Sequence, residues 1–229
     1  MTQMVKRPSN ELIEGFKEVS TCNVSDALDK LGLKSGIAGI RPLFDCEKVV
    51  GPAITMKIIP YGPEVPEGHL GADALEFAEL GDVIVIDNGG RVDQNCWGEI
   101  LAFAAQQKGI AGVIIDGAAR DIDIISEIKF PVYARAIVPF TARGRNVQGG
   151  FNCTIQVGGA QVRPIVDIIM ADINGVVVIP TERAEEVLRV SKELFDREVE
   201  IGRLLKSGLS FAEVDKKSGY DKMLERNSK

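Results

Sequence analysis

Leu12, Ile13 and Phe16 follow a Ser9-Asn10 pair at a spacing that predicts a helix from Asn10. Ser20 or Thr21 breaks it. Val24, Ala27, Leu28 and Leu31 then share one face, so the helix restarts over residues 23–31 and ends at Gly32. Beyond that point the pattern becomes strand-like. Apolar runs at residues 37–43, 49–59, 83–86, 111–115 and 132–137 read as strands. Glu99–Lys108 reads as a helix closed by Gly109. Residues 148–180 turn β again, with FNCTIQVGG, VRPIVDIIMAD and GVVVIP. Thr181 is placed to cap a long final helix. That helix carries Glu185 near its start and Val187, Val190, Leu194 and Ile201 on one stripe. Ser207-Gly208-Leu209 interrupts it, and the closing KMLERNSK should fray.

No Pro-, Ser- or charge-rich linker divides the chain, so one α/β domain is expected. N-terminal helices at about 10–33 and C-terminal helices at about 181–226 flank a β/α core at about 37–180, a mixed sheet or barrel. Residues 82–87 with Asn88-Gly89 faintly echo residues 167–172 with Asn174-Gly175, too briefly for a duplication.

The 229 residues are 45% hydrophobic and 26% charged, ordinary for a globular chain. The net charge of −6 argues against a nucleic-acid footprint, which needs a clustered basic face. No apolar run reaches membrane length, and residues 1–10 lack a signal-peptide core. A cytoplasmic protein with no membrane partner is the expectation. The four cysteines, Cys22, Cys46, Cys96 and Cys153, form no CxxC pair, so reduced thiols are expected. One histidine, His69, excludes a multi-histidine metal site. It lies in a loop, either near a site or simply packed there.

The densest signal is GDVIVIDNGG, then RVDQNCWGEILAFAAQQKG, then IAGVIIDGAARD. Two buried-type strands end in turns rich in glycine, polar and charged groups, where open α/β sheets bind ligands. Asp121 is a hard oxygen ligand suited to Mg²⁺ or Mn²⁺, and Arg120 offers a fork for a carboxylate or enolate oxygen. The alternative is an Asp121 that caps the following helix beside a solvated Arg120. Gly98, Glu99, Ile100 and Leu101 open a helix whose free N–H groups form an anion cradle. Glu99 is either a general base, directly or through water, or an acidic residue favoured by the helix dipole. Glu198 interrupts the apolar stripe of the last helix. It is paired or at a site, or the stripe faces a neighbouring subunit or frays. Arg143 and Arg145, among glycines at residues 141–150, either close over an anion or form a solvated turn. No GxGxxG is present, which leaves a Rossmann-type methyltransferase poorly supported.

Taken together, TCNVSDALDKLG, GDVIVIDNGG, WGEILAFAAQQKGIAGVIIDGAARD, FPVYAR and ADINGVVVIP resemble the RraA-like family. Gly117 to Asp121 as G-x-x-R-D, with Trp97-Gly98-Glu99 upstream, carries most of the specificity. The family includes class II, metal-dependent pyruvate aldolases that cleave 4-hydroxy-4-methyl-2-oxoglutarate and 4-carboxy-4-hydroxy-2-oxoadipate. The resemblance implies a swivelling β/β/α fold assembled as homotrimers or hexamers with sites at subunit interfaces. By the same resemblance, Asp121 is the direct protein ligand of Mg²⁺ or Mn²⁺ and Arg120 steadies the pyruvate enolate. The amides of Gly98 to Leu101 hold the substrate carboxylate. Glu99 positions a water as base, and Glu198 is the acid supplied by an adjacent subunit. The implied activity is retro-aldol release of pyruvate from a 4-hydroxy-2-oxo acid, decarboxylation of oxaloacetate, or both. The family also holds a branch that inhibits ribonuclease E by protein binding, so fold kinship alone leaves a regulator open. The chain departs from the family's frequent Pro-Gly-Asp turn, with Ile165 and Val166 between Pro164 and Asp167.

Overall fold

The computed structural model describes residues 7–34, 36–62, 70–220 and 223–224. His69 lies outside the described residues.

Two N-terminal helices, α1 (Asn10–Lys17) and α2 (Thr21–Lys30), are separated by capping chemistry. Ser9 Oγ accepts from Leu12 N, and Ser20 and Asn23 form a reciprocal capping box. Ser20 is thus the break, and α2 starts two residues before the expected position because Asn23 serves the cap. Gly32, at φ +71°, turns the chain out of the helix.

The chain then alternates strand and helix. The first stretch is β1 (Arg41–Pro42), the long β2 (Val49–Pro60), α3 (Ala72–Phe77), β3 (Val83–Asp87), β4 (Asn95–Trp97) and α4 (Glu99–Lys108). Next come β5 (Gly112–Asp116), β6 (Ala118–Ala119), α5 (Ile122–Glu127), β7 (Val132–Ala134) and β8 (Ala136–Ile137). The β-rich part closes with β9 (Asn146–Phe151), β10 (Ile155–Val157), β11 (Ala160–Val162), β12 (Ile168–Asp172) and β13 (Gly175–Ile179). Finally a 3₁₀ turn (Thr181–Arg183) leads into α6 (Ala184–Lys206) and α7 (Phe211–Ser218).

The main sheet runs β1-β7-β5-β3-β2-β12-β13, with β9 also on β2. Strands β2, β3, β5 and β7 are parallel and the rest antiparallel. Its two edges approach each other. Ile37 N donates to Val176 O at 2.8 Å, and Arg41 reaches Asn174 O at 2.9 Å. The result is a nearly closed, barrel-like α/β core flanked by helices. Val85, Ile114, Tyr133 and Ile169 fill its interior. Trp97, Ala102 and Ile125 pack outside it with Ile86 and Ile115, and α1, α2 and α6 cover β12 and β13.

A second, three-stranded parallel sheet, β4-β6-β8, sits past the carboxyl ends of β3, β5 and β7. The run 132–137, expected as one strand, is therefore two. The chain changes sheet at Arg135, whose Nε is bound to Asp116 while its N donates to Gly117 O at 2.9 Å. Gly149 and Gly150, expected in a loop, belong to β9. Thr181 does not cap α6. Its hydroxyl donates to Val166 O, and α6 begins at Ala184 with no side-chain cap. Val187, Val190 and Leu194 are buried with residues of α1 and α2 of the same chain, and Ile201 is buried too, so the stripe is not left for a neighbour. Met223, expected to fray, is only 4% exposed, and its carbonyl accepts from Lys30 Nζ at 3.0 Å.

Candidate active site

The small sheet builds the site. Parallel pairing sets Trp97 beside Ala119, and Arg120 N donates to Trp97 O at 3.0 Å. The residues that follow each strand end, Gly98-Glu99 and Arg120-Asp121, are thereby forced together. Asp121 is left-handed at φ +58° and ψ +36°, a conformation that costs a non-glycine residue on the order of 1 kcal/mol. It holds the N-cap position of α5, yet its carboxylate accepts no capping bond. Instead Oδ2 lies 3.1 Å from Arg120 Nε and 3.4 Å from Glu99 N, the first amide of α4. The capping alternative for Asp121 therefore fails on geometry.

Gly98 is required by proximity. A Cβ there would stand 2.8 Å from Asp121 Oδ2 and 3.4 Å from Arg120 Nε. At the start of α4 the N–H groups of Glu99, Ile100 and Leu101 have no intrahelical acceptor, since the ladder begins with Ala102 N to Gly98 O at 3.1 Å. These groups line a cavity of about 490 Å³. Its far wall comes from Tyr61, from Thr141 to Gly144, and from Asn146 to Gln148. Gly98, Glu99, Ile100, Leu101, Arg120 and Asp121 are all on the near wall. Glu99 is half-buried there.

The floor holds polar atoms that the sequence did not flag. Trp97 is fully buried and stacked on Phe130 at 6.2 Å, and its Nε1 has no partner among the described residues. Asn95 donates to Trp97 O at 3.4 Å while its Oδ1 is unpaired. Its carbonyl accepts from Asn146 Nδ2 at 3.0 Å. Unpaired buried polar atoms cost about 1–3 kcal/mol each, so these two are a local expense of building the floor. Cys96, also on the wall, is no nucleophile, because burial pushes its thiol up to about 12.

Glu198 is not among the residues lining the cavity. It lies half-buried on α6 and accepts from Asn23 Nδ2 at 2.7 Å. Its corner is acidic. Burial, then the charges of Glu198 and Asp29, push the Asp26 carboxyl up. Within one chain this corner and the cavity are separate.

No cluster of three or more His, Cys, Asp or Glu suited to a metal occurs among the described residues. A hard cation that keeps most of its waters needs only one protein carboxylate, however. The space over Asp121 Oδ2 that a Cβ at Gly98 would fill is compatible with such a ligand.

A barrel-like mixed sheet flanked by helices is the fold that this chain shares with RraA-like proteins. The family described as Aldolase/RraA matches residues 21–178, and the chain belongs to that RraA-like family. It is 34% identical over 183 residues to a Halalkalibacterium halodurans protein provisionally named 4-hydroxy-4-methyl-2-oxoglutarate aldolase, covering 80% of this chain and 83% of that one. It is 31% identical over 223 residues to protein DlpA of Legionella pneumophila, covering 93% of this chain but only 36% of that protein's length. Among solved structures, Streptomyces coelicolor RraAS2, an unusual member of the RNase ES inhibitor RraA protein family, superposes with TM-score 0.77 at 28% identity, covering 87% and 98% of the two chains. No helix among the described residues is long and apolar enough to cross a membrane.

Proposed function

We propose that the protein is a divalent-metal-dependent lyase that cleaves a 4-hydroxy-2-oxo acid to pyruvate, or decarboxylates oxaloacetate, through a pyruvate enolate. The observation that carries this reading is the left-handed Asp121 turned onto Arg120 and the first amide of α4 instead of capping α5. Asp121 would hold Mg²⁺ or Mn²⁺. When bound, that cation supplies Lewis acidity to the substrate's carboxylate and 2-oxo oxygens. The amides of Gly98 to Leu101 orient the carboxylate, helped by the positive end of α4. Arg120 donates to the 2-oxo oxygen and stabilises the negative charge that grows there as the carbon–carbon bond breaks. Glu99, through a water, takes the proton of the distal hydroxyl in the aldol reaction. Oxaloacetate has no such proton to give up.

Glu198 enters only if a second copy brings its α6 to this cavity. That is the acid role proposed here for a homotrimer or hexamer. A cytoplasmic location fits a small 2-oxo acid substrate. The test is pyruvate release from a panel of 4-hydroxy-2-oxo acids and from oxaloacetate, with Mg²⁺ or Mn²⁺ and then with EDTA. Turnover abolished by EDTA and restored by metal supports the reading, whereas no turnover on any panel member overturns it. The likeness to the Streptomyces protein favours a second reading, a ribonuclease E regulator acting by protein binding. It predicts an inert panel and a nuclease recovered by pull-down.

A further inference from the structure

The barrel interior ends in a charged layer. Asp87 on β3 pairs in register with Lys57 on β2 and with Asp116 on β5. Ile114 pairs with Tyr133, so Asp116 and Arg135, each two residues further along, fall side by side. Strand alternation puts all four on the inward face, one layer beyond Val85, Ile114 and Tyr133. Arg135 Nε is bound to Asp116 Oδ1, and Gly158 N donates to Asp116 Oδ2 at 2.8 Å. Lys57 Nζ stands 3.8 Å from Asp87 Oδ2. None of the four is among the residues lining the cavity.

All three strands of the small sheet depart beside the Asp116–Arg135 pair. β6 starts two residues after Asp116, and β8 starts immediately after Arg135. The turn that leads to β4 meets the pair as well, since Gly90 N donates to Asp116 O at 3.0 Å. Further along, Val138 N donates to Ala119 O at 2.9 Å. Glycines close around the pair. A Cβ at Gly39 would collide with Arg135 Nη1, and one at Gly90 would stand 3.7 Å from both Arg135 Nε and Asp116 Oδ1. Gly117 leaves no slack either, because a Cβ there would stand 3.0 Å from Asn88 Cβ and 3.2 Å from Arg91 O.

We propose that Asp116 and Arg135 are positioning residues, an ion pair that sets the G-x-x-R-D strand so that Asp121 and Arg120 meet metal and substrate at the right spacing. The inference rests on the lyase reading and deepens it. A largely buried pair returns little net stability, because desolvation offsets its attraction. It does supply direction, since a guanidinium fixed on a carboxylate holds two strand ends at one separation. Between Asp116 and Asp121 the chain runs through β6, which is clamped by β4 on one side and β8 on the other. A shift at the pair is therefore passed to the site instead of being absorbed. Rate is sensitive to such shifts, at about a hundredfold for about 1 Å.

In the full-length protein, Asp116→Asn and Arg135→Gln should each lower kcat for pyruvate release about tenfold, with KM for the oxo acid changed by less than about threefold. Calorimetric titration with Mn²⁺, at a temperature where each variant is folded, should show binding about tenfold weaker than wild type. Arg135→Lys should recover part of both losses. A merely structural loss would lower the folded fraction and leave the Mn²⁺ affinity of the rest unchanged, so an affinity within about twofold of wild type overturns the proposal. Lys57→Met disturbs only the half-exposed end of the layer and should leave turnover and Mn²⁺ binding unchanged. Equal losses in that control would overturn the assignment to the pair. Failure of both Asp116→Asn and Arg135→Lys to fold would mark the pair as part of the core's stability and overturn it too. Wild type inactive on every acid would remove the lyase reading and this inference with it, whereas active wild type beside unaltered variants removes this inference alone.

Discussion

Replacing Gly98 by alanine isolates the close approach on which the site depends. The backbone there is extended, φ −147° and ψ −174°, so alanine meets no conformational penalty. Its Cβ would stand 2.8 Å from Asp121 Oδ2, where ordinary contact starts near 3.4 Å. The carboxylate must therefore retreat by about 0.6 Å, the difference between those figures. A misplacement of about 1 Å costs on the order of a hundredfold in rate. A shift of roughly half that size should cost about tenfold, or about 1.4 kcal/mol of transition-state stabilisation. Stability should move less. A clash of about 1 kcal/mol is partly offset by the stiffer unfolded chain, so Tm should stay within about 4 °C. The assay is kcat/KM for pyruvate release measured beside Tm, with Gly202→Ala as control. Gly202 lies within α6, and a Cβ there meets nothing within 4 Å. That substitution should add about 0.5–1 kcal/mol of stability and leave turnover alone. Wild-type turnover in Gly98→Ala would refute the reasoning, as would a loss that simply tracks Tm.

Asp121→Asn should remove at least about a hundredfold of activity and weaken Mn²⁺ binding in a calorimetric titration, while Arg120→Ala should cost about 10²–10³ in kcat; near-normal rates in either variant would displace the site. Glu99→Gln should depress aldol cleavage much more than oxaloacetate decarboxylation, and equal loss in parallel assays would end its role as base. Asp172 is a structural counterpart. Burial opposes its charge, but hydrogen bonds from Thr21 and Asn174 together outweigh that and hold its carboxyl below the usual range. Its contribution is therefore present above the unfolded value of about 3.9 and lost as pH falls through the lower folded one. Thr21→Val, which deletes a 2.6 Å bond to Asp172 Oδ1, should cost about 1.5–3 kcal/mol at pH 7. In urea titrations that gap should narrow below about pH 4.

Much of the core is legible in the sequence because its strands are unbroken apolar runs ended by Asp or Gly, as in Val83–Asp87. The helix Glu99–Lys108 is equally plain, since Gly109 stops it at φ +75°. The division between β7 and β8 is hidden. Arg135 interrupts Val-Tyr-Ala and Ala-Ile without disturbing their β character, and only its bond to Asp116 reveals the change of sheet. The turn at Ile165 is equally opaque. A β-branched residue at φ +69° is an exception to local preference, held by Ile165 N on Ala53 O at 2.7 Å and by packing on the core. The Arg120-Asp121 and Gly98-Glu99 segments are visible as motifs because each is contiguous. The far wall is not, because Tyr61, Asn146 and Gln148 reach the cavity only through pairing of β9 with β2.

The staggered second sheet has a mechanical consequence. Ala118 and Ala119 continue directly from a central strand, and β8 follows β7 across Arg135 alone, so two of the three strands are rooted in the barrel. Loosening the Arg120-Asp121 corner means unzipping strands rooted in the most deeply packed part of the molecule. The Arg120-Asp121 corner is therefore as stiff as the interior that carries it, and any opening of the cavity falls to the rim at residues 141–144.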